Sequence, residues 1–184
     1  MSASRFASPE DSIAYMKKVA VARSGFSAWL DVEPVRVWEG ESELLLVMRP
    51  EMTQHHGYAH GAIVGLMADN ACAWAGASVA GDVVTGGYTI DFLRPAKGER
   101  LRARGTVIKA GKRQVVVRAD VWAESEGAAP VHVAVALATG EEVDELHLER
   151  MRVLDRPGVL ADITLILADR EISIDAMIQK EPSE

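Results

Sequence analysis

Asp69 is the one charged side chain between Gly61 and Gly81, in a segment otherwise made of small, apolar and uncharged polar residues. Burying a carboxylate costs several kcal/mol unless a partner compensates its charge or the protein uses it. A structural acid satisfied by a neighbouring donor is one explanation for such a residue, and a catalytic carboxylate is the other. We interpret Asp69 as a candidate catalytic residue.

A helix over this segment places Asp69 on a stripe of small residues. At about 100° per residue, its face is shared by Ala62, Gly65, Ala73 and Gly76. The bulky side chains Ile63, Met67 and Trp74 fall on another face. The stripe predicts that another backbone or a ligand approaches closely beside the acid.

The start of the same helix offers a complementary group. The amides after His60 and Gly61 have no intrahelical acceptor and lie at the positive end of the helix dipole, which suits an oxyanion or a thioester carbonyl. Asp69 lies eight residues beyond Gly61, about 12 Å along the axis at 1.5 Å per residue. We therefore infer a site shared across a dimer, with the helix start from one chain and Asp69 from its partner.

The remaining pattern predicts one long apolar helix and an antiparallel sheet that wraps it. Ser8 caps a helix that runs to about Arg23 and ends near Gly25, and a loop covers residues 51–58. Strands are predicted at Val35 to Met48, Val83 to Leu93, Leu101 to Ala110, Gln114 to Ala123 and Val131 to Thr139. Neither the helix nor the sheet can bury its apolar surface alone, so the fold class is α+β.

Residues 10–140 resemble the hotdog-fold thioesterases, particularly those of the phenylacetate-degradation type. The resemblance rests on the run from Gln54 through His60, Gly61 and Asp69, followed by Thr85-GGYTIDFLRPA. It implies that the Gly61 amide polarises a thioester carbonyl, that His60 shapes the loop and that Gln54 holds the carbonyl or the lytic water. It also implies that Asp69 acts either as a general base on water or as a nucleophile. Thr85 falls where some members have a Ser or Thr near the acid.

The sequence departs from that family in two ways. Gln54 is combined with Asp69, whereas Asn more often accompanies Asp in the family and Gln more often accompanies Glu, which leaves the substrate class open. Ala62 stands where many relatives have a second glycine, but it retains the backbone amide.

Coenzyme A carries several phosphate charges that basic side chains in or beside turns could bind. The candidates are Arg94, Lys97, Lys109, Lys112 and Arg113, and the alternative is that they are ordinary solvated turn residues. The histidines His55, His56 and His60 lack the spacing and companion ligands of a zinc site. We expect no metal and no cofactor apart from coenzyme A as part of the substrate.

Composition limits the partners. With 27 acidic and 20 basic residues the net charge is −7, which argues against a general nucleic-acid binder. A single cysteine fits a reducing cytoplasm, and the N-terminus shows no signal-peptide pattern. The segment 61–81 has the length of a membrane span, but Asp69 and Asn70 at its middle favour a buried helix of a soluble protein.

The C-terminal part changes character. We predict a domain over 1–140, an acidic linker over 141–147, and a strand, helix and strand over 148–184. The motif RVLDRPGVLADIT, with Asp155, Pro157 and Gly158 at its turn, resembles the first half of the ACT regulatory domain found at the end of homoserine dehydrogenases. No G-x-G-x-x-G nucleotide motif accompanies it, so the chain is not itself a dehydrogenase.

The residues and the resemblance together predict hydrolysis of acyl-CoA thioesters, with aryl or medium-chain acyl groups, in a homodimer or a dimer of dimers. Two other hypotheses remain: a non-catalytic acyl-CoA-binding module, and an amino-acid-responsive regulator that uses the ACT-like segment. A pure binder has no need of an acid at position 69.

Overall fold

The computed structural model describes residues 4–111 and 114–142. Its contacts divide the chain into two compact units, Met1–Val143 and Asp144–Glu184. The strand, helix and strand predicted for the C-terminal part lie outside the described residues.

The N-terminal segment is helical, as predicted, but in two conformations. Helix α1, Pro9–Tyr15, begins at Ser8, whose hydroxyl accepts a hydrogen bond from the Asp11 amide at 3.1 Å, and it continues as a π-helix over Met16–Val21. A short helix α2, Gly25–Leu30, follows the cap Ser24 and was not predicted. Its six residues are too few to show a helical period in the sequence.

The strand predicted from Val35 to Met48 is wrong as a single element, because it is a hairpin. Strand β1 covers Glu33–Trp38 and β2 covers Glu41–Val47, paired antiparallel. Glu39 and Gly40 both have positive φ, 49° and 83°, as a tight two-residue hairpin turn requires. A glutamate is an uncommon residue at such a position, so the turn had no clear sequence signal.

Helix α3, Gly61–Ala80, is the central element. It begins at His60 and ends at Gly81, which has a φ of 87°. By length and composition it could cross a membrane, yet 67% of its most apolar stretch is buried inside the fold. Ile63, Met67 and Trp74 are buried in the core, as the predicted helical face requires.

Six antiparallel strands form one sheet in the order β1-β2-β4-β5-β6-β3. The last four are β3, Val83–Phe92; β4, Arg100–Ala110; β5, Gln114–Glu124; and β6, Val131–Glu142. Strands β1 to β6 all contact α3, so the predicted sheet around a long central helix is confirmed. Strands β1 and β3 form the two edges.

The sheet approaches α3 most closely at Gly105 on β4. A β-carbon on this residue would lie 2.2 Å from the carbonyl oxygen of Ala71, and the Ser42 hydroxyl donates to the same oxygen at 2.6 Å. Glycine is therefore required where the sheet crosses the helix.

The opposite face of the sheet carries a cluster of ion pairs across β2, β4 and β5. Arg102 donates to Glu43 and, at 2.6 Å, to Glu124. Arg100 also contacts Glu124, at 3.2 Å, and Arg104 contacts Glu43 at 2.7 Å. These pairs stand on neighbouring strands and therefore fix the strand register on this face.

Candidate functional site

Asp69 lies in the middle of α3 and is half-buried. One of its carboxylate oxygens, Oδ1, accepts a hydrogen bond from the hydroxyl of Thr85 on β3 at 2.8 Å. No described residue donates to the other oxygen. The acid is thus oriented by one neighbour while retaining an oxygen for water or an acyl carbon.

Strand β3 runs along the stripe of small residues that the sequence predicted. A β-carbon on Gly65 would lie 3.1 Å from the hydroxyl oxygen of Tyr88, and one on Gly61 would lie 3.5 Å from the ring of Phe92. With the contact between Asp69 and Thr85, these contacts define a groove between α3 and β3. We call it the α3–β3 groove: Gly61, Gly65 and Asp69 on one side and Thr85, Tyr88 and Phe92 on the other.

The start of α3 presents a free amide. The Nδ1 atom of His60 accepts from the Ala62 amide at 3.1 Å, and the His60 carbonyl accepts from the amides of Ile63 and Val64. No described residue accepts from the amide of Gly61, which is exposed. This amide is available to a carbonyl oxygen from a ligand.

Gln54 lies in the loop that leads to the helix start. Its backbone amide donates to the Tyr58 carbonyl and its carbonyl accepts from the Gly57 amide, both at 2.8 Å. The loop is joined to the helix start because the His60 amide donates to the Met52 carbonyl at 2.9 Å. These bonds hold the backbone of the loop, while the half-buried side chain of Gln54 makes no hydrogen bond to a described residue.

Of the predicted basic residues, the three that the structure describes, Arg94, Lys97 and Lys109, are not brought together within one chain. Arg94 and Lys97 lie in the connection after β3, which is beside the helix start because the Ala59 amide donates to the Ala96 carbonyl at 2.8 Å. Lys109 lies near the C-terminal end of β4, about 30 Å from the start of that strand at 3.3 Å per residue. Lys112 and Arg113 lie outside the described residues.

Two histidines next to the site, His55 and His56, are in contact, with ring centroids 3.9 Å apart and ring planes tilted by 44°. Within residues 4–111 and 114–142, no three or more His, Cys, Asp or Glu side chains are grouped so as to hold a metal ion.

Cys72 lies one turn beyond Asp69 and is buried. Burial, and secondarily the negative charge of Asp69, raises the pKa of this thiol to about 12. The thiol is therefore protonated at neutral pH and is unsuited to nucleophilic chemistry.

Sequence reasoning missed the residues that complete the groove. Tyr88 and Phe92 are 45% and 57% exposed. They lie opposite glycines of α3, and the sequence shows that these glycines are small but not which side chains face them. Asn70 was also missed: its side-chain nitrogen donates to the Ser27 hydroxyl at 3.3 Å and ties α2 to the central helix next to the acid.

A long helix wrapped by an antiparallel sheet, with an acid at mid-helix, defines the hotdog class of fold. Residues 56–129 match the family model described as the thioesterase superfamily. A thioesterase family protein from Silicibacter pomeroyi is similar in structure, at 30% identity over 70% of this chain and 96% of that one, with a TM-score of 0.66. The chain belongs to the thioesterase superfamily, and the predicted family is confirmed.

Two further structures share the fold. A conserved protein from Pseudomonas aeruginosa is 26% identical over 65% of this chain and 94% of its own, with a TM-score of 0.59. The PaaI protein from the phenylacetic acid degradation operon of E. coli is 21% identical, over 74% of this chain and 97% of its own, with a TM-score of 0.64. At that identity, the likeness to PaaI concerns the fold alone.

The C-terminal resemblance is also confirmed. Residues 137–184 match the ACT domain model, and a 43-residue stretch is 63% identical to homoserine dehydrogenase from Methylobacillus glycogenes. That stretch is 23% of this chain but 10% of the dehydrogenase. The ACT match begins inside β6, whose last residue is Glu142.

Proposed function

We propose that this protein hydrolyses acyl-CoA thioesters to a free acid and coenzyme A. The observation that carries the proposal is the α3–β3 groove, which bears a half-buried carboxylate with one free oxygen and, on the same helix, an open amide at Gly61. Membership of the thioesterase superfamily supports thioester hydrolysis as the reaction.

The reaction needs an electrophile and a nucleophile at the same carbonyl. The Gly61 amide would donate a hydrogen bond to the carbonyl oxygen and stabilise the negative charge that forms on it, with His60 holding the loop and Gln54 binding the carbonyl or the water. Asp69 would either remove a proton from the attacking water or attack the carbonyl itself. In both routes the carbon–sulfur bond breaks, and coenzyme A leaves as the thiol once its sulfur is protonated.

Single-turnover hydrolysis in ¹⁸O-water identifies the nucleophilic route when the label enters Asp69. Attack by Asp69 forms a mixed anhydride, and water that then attacks the aspartyl carbon leaves ¹⁸O in Asp69. General-base hydrolysis places the label in the acid product alone.

The site is proposed to be shared between two subunits. Gly61 and Asp69 are about 12 Å apart along one helix, so one chain cannot present both to one carbonyl. The edge strand β3 leaves the apolar side chains Val84, Tyr88 and Phe92 exposed, at 45% to 57%. An unpaired, apolar edge is suited to pairing with β3 of a second copy, which would bring the two helices together in a homodimer or, with a further contact, a dimer of dimers.

Basic side chains near the helix start would bind the phosphates of coenzyme A. Arg94 and Lys97 are exposed and lie beside the loop before α3. Lys109, near the end of β4, and Lys112 and Arg113, which follow it in the sequence, would contribute from a different part of the dimer. The proposed reaction requires no metal or redox cofactor, and we expect the protein in the cytoplasm.

The test is release of thiol from a panel of aryl- and fatty-acyl-CoA substrates by the wild type and by Asp69→Ala. We expect the variant to be at least about a hundredfold slower on the best substrate, the range for losing a general acid or base. A folded wild type that binds acyl-CoA tightly but releases no thiol would instead indicate a non-catalytic binding module.

A further inference from the structure

Tyr88 stands at a special position in the α3–β3 groove. Its hydroxyl oxygen lies against Gly65, which is four residues from Gly61 and four residues from Asp69. The phenol is therefore about 6 Å along the helix axis from each of the two groups proposed to act on the substrate, at 1.5 Å per residue.

A twofold axis that brings Gly61 of one chain to Asp69 of the other must pass midway between them on each helix, beside Gly65. It therefore passes beside Tyr88 as well. Because Tyr88 is on the exposed edge strand and 45% of it is accessible, the two phenols of a dimer would meet at the axis, between the two sites.

The acyl group and the coenzyme A moiety of a thioester extend from the carbonyl carbon in different directions. We call them the acyl arm and the nucleotide arm. The nucleotide arm carries the phosphates and belongs at the outer rim, where Arg94 and Lys97 lie on the side of Gly61 that is remote from Gly65. The acyl arm is left with the inward direction along the groove, toward the axis. It would end against Tyr88 after about 6 Å, because that is the distance from Gly61 to Gly65 along the helix.

We propose that Tyr88 determines acyl specificity: the pair of phenols at the dimer axis closes both acyl pockets and restricts the substrates to short-chain or single-ring acyl groups. This inference rests on the proposed function and on its shared site. The neighbouring Phe92, whose ring lies against Gly61, provides an apolar wall for the first atoms of the acyl arm.

Steady-state kinetics on butyryl-, octanoyl- and phenylacetyl-CoA test the proposal. In Tyr88→Ala, we expect the ratio of kcat/KM for octanoyl-CoA to that for butyryl-CoA to rise at least about tenfold, within the range that pocket size controls. Tyr88→Phe keeps the ring and should keep the wild-type order of preference. Leu137→Ala, on the other face of the sheet, serves as the control. An equal loss of kcat/KM on every substrate, or an unchanged ratio, would overturn the role of Tyr88.

A cross-linking experiment tests the geometry without any activity. Cysteine introduced by Tyr88→Cys should form a disulfide-linked dimer on oxidation, because directly paired residues of antiparallel strands have the spacing of a disulfide. Ile108→Cys, which is more exposed than Tyr88 but lies on β4, should not form one. The native Cys72 is buried and does not compete.

The outcomes are separable. A wild type that hydrolyses no thioester refutes the proposed function and the specificity role with it. Hydrolysis by the wild type combined with no Tyr88→Cys cross-link overturns the axial position of Tyr88, and with it the specificity role, while the proposed function stands.

Discussion

The hydroxyl of Thr85 orients Asp69 without blocking it. A single 2.8 Å hydrogen bond fixes Oδ1, and no described residue donates a hydrogen bond to Oδ2. A carboxylate with both oxygens bonded to protein donors would be a poor base and a poor nucleophile. The arrangement therefore fits a catalytic acid better than a structural one.

At the same scale, the ionisation of Glu124 makes the stability of the folded state depend on pH. The hydrogen bond from Arg102, opposed by desolvation, lowers the pKa of the Glu124 carboxyl below its ordinary 4.5. A folded-state pKa that is lowered contributes stability above the unfolded pKa, and this contribution is lost as the pH falls through the folded value. We expect wild type to exceed Glu124→Gln in stability above about pH 4.5 and the difference to vanish at lower pH.

Urea unfolding of both proteins between pH 3 and pH 7, at fixed ionic strength, measures this difference. A difference in the free energy of unfolding that stays constant over the whole pH range would mean that the charge of Glu124 does not stabilise the cluster.

The residues of the site were predictable to different degrees. Asp69 was evident because it is the one charge in a long apolar segment, and the helical period then identified the small residues around it. The contact of Thr85 with Asp69 depends on a bulge, since the pairing register of β3 shifts between Thr85 and Gly87. Neither that shift nor the position of Tyr88 against Gly65 can be obtained from a strand's alternation alone, because both depend on where the strand crosses the helix.

At the scale of the elements, β3 to β6 were predicted to within three residues because their alternation is strong and their separators contain Gly and Pro. The β1–β2 hairpin was not predicted because its turn, Glu39-Gly40, lacks the Asn or Asp that usually marks such turns. Helix α2 was not predicted because its six residues are too few to show a helical period; its link to α3 is the hydrogen bond from Asn70 to the Ser27 hydroxyl.

The crossing of β4 over α3 gives a prediction at this scale. Gly105→Ala places a methyl group 2.2 Å from the Ala71 carbonyl oxygen, so the sheet and helix must separate. We expect a loss of about 1 to 3 kcal/mol in the free energy of unfolding, as for other overpacked cores.

The matched control is Gly25→Ala, where no atom lies within 4 Å of the added β-carbon. It should change the free energy of unfolding by no more than about 0.5 kcal/mol. Chemical denaturation of both variants at one protein concentration measures the effect, and equal midpoints would show that the crossing can relax.

At the scale of the whole molecule, a shared site predicts that two inactive variants restore activity when mixed. Gly61→Pro removes the proposed carbonyl-binding amide, and proline suits the first position of a helix. The preceding His60 already has φ −63° and ψ 140°, which a following proline favours. A mixed dimer of Gly61→Pro and Asp69→Ala subunits contains one intact site and one doubly defective site.

We expect the equimolar mixture, after unfolding and joint refolding, to recover about one quarter of wild-type activity, since half of the dimers are mixed and each has one of two sites intact. A mixture of Asp69→Ala with Asp69→Asn should recover none. Activity that remains absent in the first mixture would show that Gly61 and Asp69 must belong to the same chain to act together, and it would refute the shared site.

Because Cys72 is buried, the rate of its chemical modification measures how often the native fold opens. The chain has one thiol, and its pKa of about 12 and its position under the sheet keep it from aromatic disulfide reagents while the fold is intact. The rate at which such a reagent modifies the protein therefore reports how often α3 is released from the sheet. For the same reason, Cys72 of the native protein does not add to the signal in assays that measure the thiol of released coenzyme A.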